Sequence, residues 1–207
     1  AECGPKLYFF GHAITTSTHA GVQCDAPVAV DGRVRDNAAL VLIAPERTMP
    51  KKKTRKIEAR RSAIHGNGVF ATEAIAKGER IIRYKGFLRS HADVDAEYGD
   101  QEEDGHTFLF TLNDEYVIDA NIEGNVARWI NHSCDPNCEA VVEEDAKDRR
   151  HKDKVFIEAL RDIAQGEELT YNYGITLAER HTPALKKLWG CRCGAANCTG
   201  TMLQPKR

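Results

Sequence analysis

Four short stretches of this chain concentrate residue types that can do chemistry. The densest is Arg128-Trp129-Ile130-Asn131-His132-Ser133-Cys134-Asp135-Pro136-Asn137-Cys138, where amide, imidazole, hydroxyl and two thiols follow a short apolar run. Asn and His offer paired hydrogen-bond donors and acceptors, and a thiolate is a metal ligand. A Cys/His nucleophile pair is disfavoured here, because partners two residues apart seldom reach base-to-nucleophile geometry and normally come from distant segments. The second stretch, Cys191-Arg192-Cys193-Gly194-Ala195-Ala196-Asn197-Cys198, places three thiols within eight residues, one ligand short of a tetrahedral zinc site. The third, Glu167-Glu168-Leu169-Thr170-Tyr171-Asn172-Tyr173-Gly174, sets two tyrosines on alternate positions of a β-rich run. The fourth, Ile64-His65-Gly66-Asn67-Gly68-Val69-Phe70, is a tight turn entering a strand. Glycine there permits positive φ and close backbone approach to a ligand, although a plain hairpin turn would use it equally well. It is not a dinucleotide fingerprint, since the third glycine is absent and no helix follows.

In this order, from about Arg60 to Leu203, the four stretches closely resemble the SET-domain protein-lysine methyltransferases with a cysteine-rich post-SET tail. The resemblance implies a mainly β fold of small sheets and short helices, a threaded C-terminal segment and a zinc-bound tail. It implies S-adenosylmethionine as cofactor, held between the turn of His65, Gly66, Asn67 and Gly68 and the pair Asn131 and His132. The backbone at Gly66 and Asn67 would meet the amino-acid end, while Asn131 and His132 bond the amino group and adenine. Arg128, Trp129 and Phe108 match residues that line the family's site. Trp189 would cover the adenine from the tail, or else simply pack the linking helix. Tyr173 matches the catalytic tyrosine. Tyr171 matches the position that influences how many methyls are added, which implies mainly mono-methylation. Cys134 would complete the Zn2+ site with Cys191, Cys193 and Cys198, with Cys138 as the alternative fourth ligand. The expected substrate is a histone or another basic protein. Two features depart from the family pattern: no long cysteine-rich region precedes the domain, and Asn172 stands where an acidic residue is common.

The composition sets bounds on these expectations. A length of 207 residues implies one domain plus an appendage, and a net charge of −2 argues against a surface dominated by nucleic-acid binding. No apolar run approaches the roughly 18 residues of a membrane span. Seven cysteines, three of them clustered, fit a metal site in a reducing compartment better than a disulfide framework. The chain thus reads as soluble and intracellular, cytoplasmic if bacterial and nuclear or chromosomal if eukaryotic. Residues 1–48 lack a sustained period and are expected to be a disordered or non-native extension, with Met49-Pro50 resembling a translation start. Residues 49–61 form a basic arm of lysines and arginines, either a solvated segment or a nucleic-acid or nuclear-targeting one. The SET domain is expected over 62–175, a linking helix over 176–190 and the zinc tail over 191–207.

The elements that must position the chemistry are legible in part. Ala71–Ile81 and Ala159–Leu169 echo each other, with Ala, Ile, Ala, Gly and Glu at matching offsets, which predicts two similar strand–turn–strand units. Ser90-His91-Ala92-Asp93 resembles a capping box and should open a helix through about Tyr98. The acidic run from Asp93 to Asp104 is either a solvated loop or a face for a basic peptide. Thr107–Leu112 and Tyr116–Asp119 should form a hairpin, Gly124–Ile130 a helical turn, and 143–154 a charged loop. Residues 176–188 carry a helical pattern that Pro183 interrupts. Two rival readings compete with the enzyme acting on protein. One is a zinc-stabilised nucleic-acid or protein binding module whose methyltransferase pocket is unused. The other is the same fold acting on a small-molecule amine.

Overall fold

The computed structural model describes residues 56–98 and 108–206 together with the backbone of Leu7–Phe9. The rest of the stretch 1–48, the basic residues Lys51, Lys52, Lys53 and Arg55, and the acidic residues from Asp100 to Asp104 lie outside the described residues. In chain order the strands are β1 (Leu7–Phe9), β2 (Ile57–Arg61), β3 (Asn67–Ala71), β4 (Arg80–Tyr84), β5 (Phe87–Ser90), β6 (Leu109–Thr111), β7 (Tyr116–Asp119), β8 (Asn131–His132), β9 (Cys138–Glu143), β10 (Lys154–Ala159), β11 (Glu168–Tyr171) and β12 (Ile175–Leu177). Helix α1 (His91–Tyr98) follows β5, and α2 (Pro183–Leu188) precedes the cysteine tail. The strands form small sheets in the orders β4-β10-β9, β2-β3-β11-β8, β5-β7-β6 and β1-β12.

Alternation within single strands explains how these sheets face one core. In β10, Val155, Ile157 and Ala159 are buried while Lys154, Phe156 and Glu158 are only partly so, the period of two that a pleated strand imposes. Val69, Ile75, Ile130, Ile163 and Leu169 fill the same core from the neighbouring elements. The internal echo is realised as a reciprocal pair. Ile75 N–H donates to Ile163 O and Ile163 N–H to Ile75 O, both at 2.9 Å. Gly78 N–H donates to Ala159 O, and Gly166 N–H donates to Ala71 O in return. Gly78 and Gly166 adopt φ of +78° and +85°, the left-handed conformation that each turn needs and that glycine takes without strain. The repeated sequence therefore codes two turns that pair with each other.

The threading that assembles the site is visible at β11. This strand runs antiparallel to β3 on one edge and parallel to β8 on the other, with Thr170 opposite Asn131 and Tyr171 opposite His132. Asn137, 2 % exposed, fastens the crossing. Its Nδ2 donates to Glu168 O and Glu167 Oε1 at 2.8 Å each, and its Oδ1 accepts from Thr170 N–H at 2.8 Å. A buried amide with both ends satisfied holds two chain segments that are far apart in sequence.

The capping box behaves as expected: Asp93 N–H donates to Ser90 Oγ at 3.1 Å and the helix ends at Tyr98. The β6–β7 hairpin and a 3-10 turn at Val126–Trp129 also appear where the pattern placed them. The pattern over 176–188 is realised differently. Only Pro183–Leu188 is helical, with Thr182 Oγ1 accepting from Leu185 N–H, whereas Ile175–Leu177 is a strand. Proline lacks an N–H that the first turn would leave unpaired anyway, so it begins this helix rather than interrupting one. Beyond α2 the chain turns back so that Ile175, Leu177, Trp189 and Leu203 make a second, smaller core. Tyr173 packs against both cores.

Candidate functional site

Tyr171 and Tyr173 lie side by side with ring centroids 4.9 Å apart. Residues two apart in an extended run point to the same face, which is how the spacing brings these rings together. Regular β11 ends at Tyr171, and the chain turns at Gly174, where φ is +65°. The Tyr173 hydroxyl donates to Ile130 O at 2.9 Å. Burial pushes both phenols well above their ordinary pKa, so both are neutral hydroxyls at physiological pH. Phe110 stands 6.4 Å from Tyr171 and 5.3 Å from Tyr84, centroid to centroid. Tyr84, 4 % exposed, donates its hydroxyl to Phe108 O at 3.2 Å. Sequence reasoning did not single out Tyr84. It sits at the end of the ordinary-looking strand β4, and only the fold brings it to the tyrosine pair. Tyr171, Tyr173 and Phe110 border a cavity of about 660 Å³ that Thr176 and Leu177 of β12 also line. The glycine turn and Asn131 do not line this cavity.

The turn and the Asn–His pair form a second group. Asn131 Nδ2 donates to Asn67 O at 3.0 Å, to His65 O at 3.3 Å and to Glu168 Oε1 at 2.8 Å. Glu168 is also held by Ser62, whose Oγ lies 2.8 and 2.9 Å from its two oxygens. The two glycines of the turn do different work. Gly66 takes φ of +49° with open space where a Cβ would stand. Gly68 is needed for close approach, since a Cβ there would lie 2.2 Å from Glu168 Oε1. Ser62 and Glu168 were not among the expected site residues. Their hydrogen-bonded partnership spans over a hundred residues of sequence and leaves no local pattern.

His132 is 5 % exposed, and burial pushes its imidazole down to about 4. Its Nδ1 accepts from Tyr173 N–H at 3.2 Å, and its Nε2 lies 3.6 Å from Cys134 Sγ. Arg128, Trp129 and Phe108 gather beside this pair. The guanidinium lies 4.6 Å from the Trp129 ring and 5.4 Å from Phe108, and the two rings meet edge to face at 4.9 Å. Arg128 Nη1 is anchored on Ala120 O at 2.9 Å. Trp189 packs in the small core with Ile175, Leu177 and Leu203. Its indole N–H is buried with no acceptor among the described residues.

The thiols converge. The sulfurs of Cys134, Cys191, Cys193 and Cys198 all lie within 4.8 Å of one another. Cys134 Sγ is 3.8 Å from Cys191 Sγ and 3.9 Å from Cys198 Sγ. Four thiolates at ~2.3 Å from a tetrahedral zinc stand about 3.8 Å apart, so the donor set fits that ion. Backbone N–H groups of Cys193 and Gly200 point at Cys191 and Cys198 sulfurs at 3.5 and 3.4 Å. Cys138, the alternative ligand, is fully buried in the main core, and burial pushes its thiol up to about 12. It takes no part in the cluster.

The chain is thus a β-rich domain of small sheets, with a threaded strand leading to paired tyrosines and a tail whose cysteines converge with Cys134. The family described as "SET domain" matches residues 66–174, and the chain belongs to it. It is 39% identical over 157 residues to "Histone-lysine N-methyltransferase, H3 lysine-4 specific" of Chaetomium globosum, covering 72% of this chain. The chain spans 13% of that relative's length. Among solved structures, KRYPTONITE in complex with mCHG DNA and SAH is 32% identical, with a TM-score of 0.56 over 70% of this chain and 28% of that one. ctPRC2, in an autoinhibited conformation bound to S-adenosylmethionine, is 35% identical, with a TM-score of 0.52 over 58% of this chain and 15% of that one.

Proposed function

We propose that this protein transfers methyl groups from S-adenosylmethionine to a lysine side chain of histone H3 or another basic protein, mainly once per lysine. The observation that carries the reading is the tyrosine pair at the edge of an open cavity, tied through Tyr173 N–H to the Asn131–His132 pair. The likeness to H3 lysine-4 methyltransferases supports histone as substrate and the nucleus as location.

The residues present fit the cofactor. Backbone turned by Gly66, the Asn131 amide, and the Arg128–Trp129–Phe108 cluster together offer polar and aromatic partners for an adenosyl group with an amino-acid end. The unpaired indole N–H of Trp189 is a buried donor awaiting an acceptor, in keeping with a group bound beside the tail. When bound, S-adenosylmethionine supplies an electrophilic methyl on a positively charged sulfur. The chain's own task is to present a neutral amine to it. Free lysine titrates near ~10.4, so deprotonation at neutral pH costs roughly 4.6 kcal/mol. Desolvation between Phe110, Tyr171 and Tyr173 favours the neutral amine and lowers that cost. Neither tyrosine can take the proton, because burial holds both in the hydroxyl form; the proton leaves to water before the amine seats. The Tyr173 proton is committed to Ile130 O, which leaves its oxygen as an acceptor that orients the amine. Alignment then provides much of the rate through proximity. In the tail, the four thiols would hold Zn2+ as a closed structural site.

The test is methyl transfer from labelled S-adenosylmethionine to core histones, with Tyr173→Phe alongside. Label on a histone that drops more than about a hundredfold in the variant, with cofactor affinity retained, supports the reading. No transfer from a folded, zinc-loaded protein would favour the binding-module alternative.

A further inference from the structure

We infer that β1 occupies the slot in which an extended substrate peptide docks, so that the chain's own N-terminal strand competes with substrate. This rests on the lysine-methylation reading above. β12 has one edge bridged in parallel by Leu203 at Ile175. Its remaining pairing is with β1, in the antiparallel register Leu7 with Leu177, Tyr8 with Thr176 and Phe9 with Ile175. Among the described residues β6 is the terminal strand of its sheet, paired with β7 alone, and β1 lies next to it. The walls that flank β1 are those of the reaction cavity. Phe110 of β6 and Thr176 and Leu177 of β12 line the same space as Tyr171 and Tyr173.

A strand edge open to an extended partner, at a cavity lined by tyrosines, is what a peptide uses when it binds by strand addition. Its main-chain groups pair with the exposed edge, and alternate side chains enter pockets. A strand edge accepts one partner at a time. With β1 in place the edge of β12 is saturated, so β1 and an extended substrate exclude each other. Because β1 is part of the same chain, it faces the slot at an effective concentration that dilution does not change. Three residues of backbone pairing hold only modestly, so a good substrate displaces β1. The consequence is a raised KM for peptide with kcat unaltered.

The experiment uses the full chain, with Tyr8→Pro and, separately, the double variant Leu7→Pro/Phe9→Pro. Proline removes a backbone N–H, and between them the two variants cover both alternating sets of strand positions. The probe is a synthetic peptide of the histone H3 N-terminus. In at least one variant we expect KM for the peptide to fall about tenfold, with kcat at saturating peptide and S-adenosylmethionine affinity unchanged. The backbone amides of Ile175–Leu177 should exchange with solvent faster in that variant, and peptide should restore their protection. Transfer by the parent and both variants with one common KM, and with unaltered exchange at β12, would overturn this inference alone. Absence of transfer in all of them would refute the methylation reading, and this inference with it.

Discussion

Replacing Gly68 by alanine isolates the contact on which the glycine turn, the proposed cofactor site, depends. The new Cβ would stand 2.2 Å from Glu168 Oε1 and 2.8 Å from its Cδ, so carboxylate or turn must give way by about 1 Å. A free glutamate would swing aside at little cost. Glu168 is not free, because Ser62 Oγ sits 2.8 and 2.9 Å from its oxygens and Asn131 Nδ2 donates to it at 2.8 Å. Moving it breaks at least two hydrogen bonds to a charged group, about 1.5–3 kcal/mol each, for a loss of about 3–6 kcal/mol. If the turn yields instead, Asn131 loses its bonds to His65 O and Asn67 O, and the proposed cofactor site is disturbed in the same way. At about 2–4 °C per kcal/mol for a domain of this size, calorimetry should show Tm lower by about 6–12 °C or more. Titration with S-adenosylmethionine should give at least about tenfold weaker binding, equivalent to ~1.4 kcal/mol. Gly66→Ala is the control. It meets no atom within 4 Å and suffers only its φ of +49°, which costs about 1–2 kcal/mol. In a Glu168→Ala background, Gly68→Ala should cost much less, because the clashing carboxylate is gone and only Ser62 Cβ, at 3.0 Å, stays close. Unaltered Tm and affinity in Gly68→Ala, or full additivity in the double variant, would refute the reasoning.

Three other outcomes follow from the same geometry. Tyr171→Phe removes a hydroxyl beside the reacting amine and should shift the product towards di- and trimethyl-lysine. Trimethyl product in mass spectra from the unaltered protein would contradict the mono-methyl preference. Chelation should release the tail, because apparent zinc binding in such sites is worth ~10–16 kcal/mol. Cys134, Cys191, Cys193 and Cys198 should then alkylate while Cys138, buried and pushed up to about 12, stays unmodified, and Trp189 fluorescence should shift to the red as its small core opens. The logarithm of kcat/KM for peptide should rise with pH at unit slope as the substrate amine loses its proton. Burial raises both tyrosine pKa values, so neither hydroxyl ionises over that limb. A break near a tyrosine's ordinary ~10, lost in Tyr173→Phe, would instead mark that residue as the base.

What the sequence disclosed depended on whether the signal was local. Cys191, Cys193 and Cys198 crowd one segment, and Ile75 and Ile163 sit at matching offsets of a repeat, so both features were readable before any fold was known. The repeat even has a physical meaning that the pattern alone did not show: the two turns hydrogen-bond to each other. Ser62, Tyr84, Asn137 and Glu168 were silent because each acts through partners in distant segments. The misread stretch at 176–188 fails for a related reason. Leu177, Leu185 and Leu188 keep helical spacing, yet Leu177 is buried from a strand while Leu185 and Leu188 pack partly buried from a helix, all against the same small core. A period of apolar residues reports that a face is buried, and tertiary context decides which backbone buries it.

The coupling of the tail to the reacting centre follows from that same context. Tyr173 N–H must donate, so His132 Nδ1 is the acceptor, and the single proton of the neutral ring sits on Nε2, 3.6 Å from Cys134 Sγ. A zinc-bound thiolate accepts that proton's hydrogen bond better than a neutral thiol does, which fixes both tautomer and ring orientation. The fixed ring in turn holds the Tyr173 backbone, and the Tyr173 hydroxyl is held independently by Ile130 O. Loss of zinc therefore loosens one of the two anchors of Tyr173 directly, through neighbours on a single short stretch. It also frees residues 191–203 of the tail. On this argument, His132→Gln in zinc-loaded protein should impair transfer while leaving the thiolate site and the tail core intact.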